Sequence, residues 1–269
     1  MNVLRLREGA SGEAAIQELR NQAREAGNVV GRSAGRPDEQ ILDDYLVWTE
    51  QAERLLGNVF DFGIVDSLIY TSRYRLIRTA SPEWRRLPAL ISSEIDNRQR
   101  LLNAHADALQ EEQQRWRGRA ATLVIPDTNM FLQEDAPLEN IDWPAAVKSR
   151  VDVRLVVPLL VVRELDRLKR RGNQVTVKEA RRAIKWLEAN LPMTPHGTSA
   201  PLSNSPRTTV EVYVQHEPAR AEEVDGLIIE FARQLSSVSR MRTRLVTRDL
   251  GMRLQAEALG VDVVTLDEP

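Results

Sequence analysis

The spacing of hydrophobic residues changes once along the chain, near residue 120. Before that point, apolar residues recur at three- and four-residue steps, which predicts amphipathic helices. A long helix is expected from about residue 88 to residue 117, because this segment carries one apolar stripe at seven-residue spacing. The stripe consists of Ile95, Leu102, Leu109 and Trp116. Packing inside a helical bundle and a dimer seam are both consistent with such a stripe. We therefore expect an all-helical N-terminal domain over residues 1–119.

Local signals suggest where the N-terminal helices begin and end. Asp38 is a candidate N-cap for the helical pattern that follows it. Ser81-Pro82-Glu83 is typical of a cap followed by proline at the first helical position. The glycine-containing stretch Gly27–Arg36 is expected to be a flexible link.

After residue 119, short β-branched runs alternate with helical patterns. Strands are predicted at Ala121–Pro126, Arg154–Val157, Thr208–Val214, Thr243–Thr247 and Asp262–Leu266. Helices are predicted at Pro158–Arg171, Val177–Asn190, Ala221–Ser236 and Asp249–Leu259. This alternation predicts an α/β domain over residues 120–269, with a parallel sheet sandwiched by helices. Residues 191–207 are rich in proline and serine, and we expect them to lie outside the core.

Composition excludes several classes of chemistry. The 269 residues include no cysteine and three scattered histidines, which excludes disulfide frameworks, zinc ribbons and cysteine nucleophiles. A bound metal would therefore be a hard ion on carboxylate oxygens. A net charge of -2 argues against binding nucleic acid by bulk charge alone. No apolar run approaches the ~18 residues of a membrane span, so we expect a soluble, cytoplasmic protein.

Acidic residues follow the predicted strands. Asp127 comes directly after the first strand, and Glu164 lies on the helix that leaves the second. Asp225 is early in the next helix, and Asp249 follows the strand Thr243–Thr247. Ligands of parallel sheets bind outside the carboxyl ends of the strands, so these four carboxylates are expected to meet there. Because like charges repel, the cluster predicts bound cations. Two hard divalent ions could activate water and stabilise the leaving oxygen of a phosphodiester.

Each acid also has an ordinary structural interpretation. Asp127 could bond its own backbone in a turn, and Asp249 could be only a helix N-cap. Glu164 borders the apolar stripe of its helix whereas Asp166 points away, which favours Glu164 as the site residue. Glu222 and Glu223 compete with Asp225 for the third position. The sequence leaves these alternatives open.

Basic residues surround Glu164. Arg163, Arg167, Arg170 and Arg171 fall on one helical face, which is consistent with a phosphate track beside the acids or with a solvated surface. A second group could extend the track: Arg240, Arg242, Arg244 and Arg248. Neither run is interleaved with aromatic residues, so base stacking is not predicted.

Taken together, these motifs resemble those of PIN-domain nucleases. The resemblance runs from Thr122 to Leu266: a strand ending in D-T-N, then V-x-x-E-L-D, D-x-x-I and V-T-x-D. It implies that the family's metal-binding acids correspond to Asp127, Glu164, Asp225 and Asp249. It further implies that Thr128, Asn129 and Thr247 support the site or contact phosphate. Gly226 and the long insertion 191–207 depart from the usual pattern.

The function implied by this resemblance is endonucleolytic cleavage of single-stranded RNA with Mg²⁺ or Mn²⁺. The alternative is a PIN-like scaffold that binds RNA or protein with weak or no catalysis. In either case the helical domain could bind a protein partner or form a homodimer.

Overall fold

The computed structural model describes residues 4–32, 37–118, 120–133, 138–191, 200–202, 204–214 and 224–266. The chain divides into two units. The first comprises residues 1–117 and 237–239, and the second comprises residues 118–236 and 240–269. That each of the predicted domains, 1–119 and 120–269, folds by itself stays a prediction.

The N-terminal unit is built from helices. Its described helices are α1 (Gly12–Arg32), α2 (Asp38–Leu56), α3 (Phe62–Ile69), α4 (Ser72–Arg78) and α5 (Leu87–Trp116). Helix α5 packs chiefly against α1. All four residues of the predicted seven-residue stripe are buried within the chain. This burial favours bundle packing over a dimer seam as the role of the stripe.

Three local predictions for this unit are wrong. Helix α1 continues through Gly27 to Arg32, because Ala26 and Val29 are buried in the helical core; residues 33–36 lie outside the described part. Ser81-Pro82-Glu83 lies in turns, and α5 begins only at Leu87, which is fully buried. Asp38 is the first residue of α2 rather than its cap, a position that Pro37 occupies.

The C-terminal unit contains a six-stranded sheet. Its strands are β1 (Ala121–Pro126), β2 (Asp152–Pro158), β3 (Ala200–Leu202), β4 (Ser205–Tyr213), β5 (Thr243–Val246) and β6 (Asp262–Val264). The order is β3-β4-β2-β1-β5-β6, and every neighbouring pair is parallel except β3 and β4. The predicted fold class, an α/β parallel sheet preceded by a helical region, is confirmed.

Helices connect the strands. They are α6 (Trp143–Ala146), α7 (Leu159–Arg171), α8 (Gln174–Asn190), α9 (Val224–Ser239) and α10 (Leu250–Ala258). Two short 3₁₀ turns lie at Thr128–Leu132 and Leu138–Asn140. Among the described helices, none has a stretch long and apolar enough to cross a membrane.

Strand β3 corrects the expectation for residues 191–207. It pairs antiparallel with β4, and the side chain of Leu202 is buried, so this part of the segment belongs to the sheet. The strand forms because the outer side of β4 has unpaired backbone groups that β3 satisfies. Residues 192–199 and 203 lie outside the described part of the chain.

The order of the strands creates a crevice beside β1. The chain runs from β1 outward through β2 to β4, and then returns to the other side of β1 to form β5 and β6. Pro126 at the end of β1 pairs with Val246 at the end of β5, so the two carboxyl ends are adjacent. In open α/β sheets this reversal of strand order marks the ligand-binding crevice.

Candidate active site

Asp127 lies directly after β1, and its side chain is held by two donors. Its Oδ1 accepts a hydrogen bond from the Met130 backbone N–H at 2.8 Å, which caps the 3₁₀ turn Thr128–Leu132. Its Oδ2 accepts a bond from Thr247 Oγ1 at 2.5 Å. The side chain is almost fully enclosed, with 2% of the residue exposed. Asp127 therefore has the predicted turn-capping role and also lies at the strand crevice.

Thr247 joins the ends of β1 and β5. It is fully buried and, besides donating to Asp127, its hydroxyl oxygen accepts a bond from the Asp249 backbone N–H at 3.0 Å. The Asp249 Oδ1 in turn accepts a bond from the Met252 N–H at 2.7 Å, so Asp249 is the N-cap of α10. The Thr247 hydroxyl thus fixes the side chain of Asp127 and the backbone of Asp249.

Glu164 lies on α7 and faces the same crevice. Its Oε2 accepts a bond from Thr128 Oγ1 at 2.6 Å, which ties it to the residue next to Asp127. Its Oε1 accepts a bond from Arg167 Nη2 at 3.0 Å. Asp166 instead pairs with Lys169 at 2.9 Å. The structure therefore links Glu164, and not Asp166, to the strand-end residues.

Asp225 is the second residue of α9, and its side chain is exposed. Partial burial and the negative charges of Asp249 and Glu164 raise the pKa of Asp225 above its usual value. Its sequence competitors, Glu222 and Glu223, lie outside the described residues. Asp225 thus interacts electrostatically with acids from two other elements.

The pKa of Asp127, the buried acid of the site, is raised by burial and also by neighbouring carboxylates. Burial, together with the smaller effect of the charges of Asp225 and Asp249, raises this pKa to about 6, although the bonds from Thr247 and Met130 lower it. Among the four acids that the sequence singles out, Asp225 and Asp249 therefore act on Asp127, and Asp249 and Glu164 act on Asp225. Their mutual repulsion disfavours the fully ionised site.

The acids approach one another without closing around an ion. Within the described ranges, no three carboxylate or imidazole groups are arranged to ligate one metal. Asp127, Glu164 and Asp249 each accept hydrogen bonds from protein donors. The donor set nevertheless fits a hard divalent ion, because all four side chains offer carboxylate oxygens. A carboxylate has lone pairs left for a metal while it accepts such bonds.

The predicted basic face is present on α7, and the charge of one of its members, Arg167, is compensated by Glu164. Arg163, Arg167, Asp166, Arg170 and Arg171 line an open cleft of about 310 Å³. Arg167 is 60% exposed at its side chain while it pairs with Glu164. Asn129 has an exposed side chain, and its carbonyl accepts a bond from Gln133.

A second group of arginines was expected to extend this face. This prediction is wrong for two of them, Arg242 and Arg244. Arg242 and Arg244 both bond Asp262 on β6, at 3.1 and 3.0 Å. Arg244 is nearly buried and also donates to the Val147 carbonyl. These two side chains hold the beginning of β5 to its neighbours, away from the end of β5 that carries Thr247. Gln133, which bonds Arg248, was not predicted as a site residue at all.

The family model described as "PIN domain" matches residues 124–267, more than half of the chain. The chain belongs to the PIN-domain family. PIN domains are generally nucleases that bind nucleic acid and use divalent metal ions. Among solved structures, the chain is similar to a domain of a functionally unknown protein from Methanocaldococcus jannaschii DSM 2661. The identity is 18%, the match covers 55% of this chain and 92% of the other, and the TM-score is 0.35. No curated protein matches the chain significantly.

Proposed function

We propose that this chain is an endoribonuclease that hydrolyses phosphodiester bonds of single-stranded RNA with Mg²⁺ or Mn²⁺. Asp127, Glu164, Asp225 and Asp249 would hold the metal. The observation that carries the proposal is the electrostatic coupling of these acids at the carboxyl ends of the strands, where Asp225 and Asp249 raise the pKa of Asp127. Membership of the PIN family supports nuclease chemistry in general.

The surrounding residues would prepare this site. Thr247 would fix the orientation of Asp127, and Thr128 would do the same for Glu164. A bound divalent ion supplies activation of water and stabilisation of the leaving oxygen. Arg163, Arg167 and Arg170 would bind RNA phosphates along the cleft on α7, and Asn129 would support the site or contact phosphate. Docking of a protein partner or a second copy on the helical domain stays a prediction.

A scaffold is the rival proposal, and energetics disfavour it. Burying Asp127 next to other acids destabilises the metal-free protein, since burial and repulsion both disfavour its charged form. A protein relieved of catalysis and metal binding gains nothing from that arrangement. The intact set of four acids is therefore better explained by an enzyme.

Cleavage and melting measurements test the enzyme proposal together. End-labelled single-stranded RNA is incubated with Mn²⁺ and the parent, Asp127→Asn, or the control Asp166→Asn, which removes an equal charge from α7 outside the cluster. We expect the parent and control to cut and Asp127→Asn to lose turnover. Saturating Mn²⁺ should also stabilise the parent, by about 2.7 kcal/mol at a hundred times its Kd. A parent that cuts nothing in a broad RNA panel, or an Asp127→Asn variant that cuts normally, leaves the scaffold as the better account.

Binding in chelator tests the arginine face separately. Replacing Arg167 and Arg170 by alanine should weaken RNA binding and reduce the slope of log affinity against log salt by about 0.7 per lost contact. Unchanged affinity and slope would identify this face as a solvated helix surface.

A further inference from the structure

Arg248 has an unusual position and an unusual shortage of partners. It lies between Thr247 and Asp249, at the carboxyl end of β5. Nevertheless its guanidinium forms no ion pair in the described part of the chain. Its one hydrogen bond there runs from Nη1 to the side-chain Oε1 of Gln133, at 3.1 Å. Arg248 therefore forms no ion pair with any of the four acids among the described residues and is held by a neutral amide.

Several other arginines of this unit are compensated by carboxylates. Arg167 pairs with Glu164, Arg182 with Glu179 and Arg244 with Asp262. Compensation of this kind cancels the charge that an anionic ligand would meet. Among the described residues, the guanidinium of Arg248 bonds only Gln133, which contributes a dipole and no charge.

Gln133 is itself fixed by two neighbours, Arg182 and Asn129. Its backbone carbonyl accepts a bond from Arg182 Nη2 at 2.7 Å, and its Nε2 donates to the Asn129 carbonyl at 3.1 Å. Arg182 is anchored in turn by Glu179 at 2.5 Å, and the side chain of Glu179 is 1% exposed. An ion pair on α8 between Arg182 and the buried Glu179 thus holds Gln133, and Gln133 holds Arg248. Residues fixed in this way lose little conformational freedom when a ligand binds.

We propose that Arg248 is a phosphate-binding residue for the nucleic-acid strand and that Gln133 is its positioning residue. This inference rests on the proposed function, because it assumes that nucleic acid occupies the site. The Nε of Arg248 is enclosed, so the ligand meets the remaining hydrogens of the two terminal nitrogens. A planar guanidinium can present these hydrogens to phosphate oxygens as paired donors.

Geometry selects which phosphate is bound. The 3₁₀ turn Thr128–Leu132 begins next to Asp127 and ends next to Gln133. The Gln133 side chain folds back onto this turn, since its Nε2 donates to the Asn129 carbonyl. Arg248 is bonded to that side chain and forms no ion pair with any of the four acids among the described residues, so we expect it to contact a phosphate next to the one being cleaved. Its loss should therefore affect substrate affinity and leave the chemical step intact.

The test compares Arg248→Ala, Arg248→Lys and Gln133→Ala with the parent and with the control Arg242→Ala, which removes an arginine at the opposite end of β5. Binding of a fluorescent oligouridylate is measured in chelator at several salt concentrations, and cleavage of the same RNA is measured with Mn²⁺. We expect Arg248→Ala to bind roughly ten- to a hundredfold more weakly, as loss of a charged hydrogen bond implies. Its salt slope should fall by about 0.7.

The remaining variants separate charge from position. Arg248→Lys should keep the parent salt slope with weaker binding, because an ammonium group cannot reproduce the fork held by Gln133. Gln133→Ala should also keep the slope and raise KM while kcat stays unchanged, a split that general destabilisation of the fold does not produce. Arg242→Ala should match the parent.

Three outcomes would overturn the inference. If the parent binds and cuts RNA but Arg248→Ala binds with the parent affinity and slope, Arg248 is no phosphate ligand and the proposed function survives. If Arg248→Ala lowers kcat at unchanged KM, the residue acts on the reacting phosphate instead of a neighbouring one. If the parent neither binds nor cuts RNA, the proposed function and this inference fail together.

Discussion

Replacing Asp127 by asparagine is expected to stabilise the metal-free protein at neutral pH, although it should abolish cleavage. Asp127 is 2% exposed, and burial with the charges of Asp225 and Asp249 raises its pKa from the usual 3.8 to about 6. Asparagine has nearly the same shape and carries no charge. The substitution therefore removes the unfavourable ionisation and keeps most of the packing.

The sign of the pH dependence follows from proton linkage. The folded protein binds the Asp127 proton more tightly than the unfolded chain does, so between about pH 4 and pH 6 the folded state carries more protons. Stability accordingly falls as the pH rises through this window, and the full cost persists above it. A shift of roughly two pKa units corresponds to about 3 kcal/mol.

The expected net gain is smaller than this cost. Asparagine can keep one of the two accepted hydrogen bonds and loses the other, at about 1 kcal/mol. The variant should therefore be more stable than the parent by about 2 kcal/mol at pH 8. For a chain of this length that gain raises Tm by roughly 4–8 °C. Near pH 4 the gain should almost disappear, because Asp127 is then protonated in the folded parent.

Thermal and urea unfolding in chelator at pH 4 and pH 8 measure this difference. Asp166→Asn serves as the matched control, since Asp166 pairs only with Lys169 in the described residues and its side chain is 47% exposed. Its replacement should change stability by less than about 0.5 kcal/mol. The reasoning is refuted if Asp127→Asn is no more stable than the parent at pH 8, or if its gain is equal at both pH values.

Two further predictions concern Thr247, which links the ends of β1 and β5, and the independent folding of the C-terminal unit. Thr247→Val should lower the free energy of unfolding by about 1–3 kcal/mol, because it leaves buried partners on Asp127 and Asp249 unbonded, whereas Thr247→Ser should cost less; a Thr247→Val variant as stable as the parent in urea titrations would show that the hydroxyl does not matter. A fragment of residues 118–269 should give the far-UV circular dichroism of a folded α/β domain, because it contains all six described strands; an unfolded fragment beside a folded full chain would show that the two units depend on one another.

Strong local patterns made much of the fold predictable from the sequence. Strand β1 consists of six buried residues, five of them apolar, and the stripe on α7 separates Glu164 from Asp166. Strand β3 could not be predicted, because three residues in a proline-rich segment become a strand only through pairing with β4. Tertiary packing likewise carries α1 through Gly27, where local propensity predicts a break.

The candidate site was predictable only in part. Strand ends could be located, so the approach of the four acids followed from topology. Their hydrogen bonds to Thr247, Thr128 and Met130 could not be predicted, since the sequence does not specify rotamers. The bond between Gln133 and Arg248 joins residues 115 positions apart, and neither residue belongs to a pattern that marks the pair.

The short strand β3 has a consequence for the behaviour of the protein at high concentration. Strand β4 is the longest strand of the sheet, and without β3 its outer backbone groups would be open to pairing with another molecule. The strands at both borders, β3 and β6, are only three residues long, and β3 carries Pro201, which cannot donate a hydrogen bond. The sheet thus offers little template for strand addition. Shortening the chain through β3 would remove this protection and favour self-association.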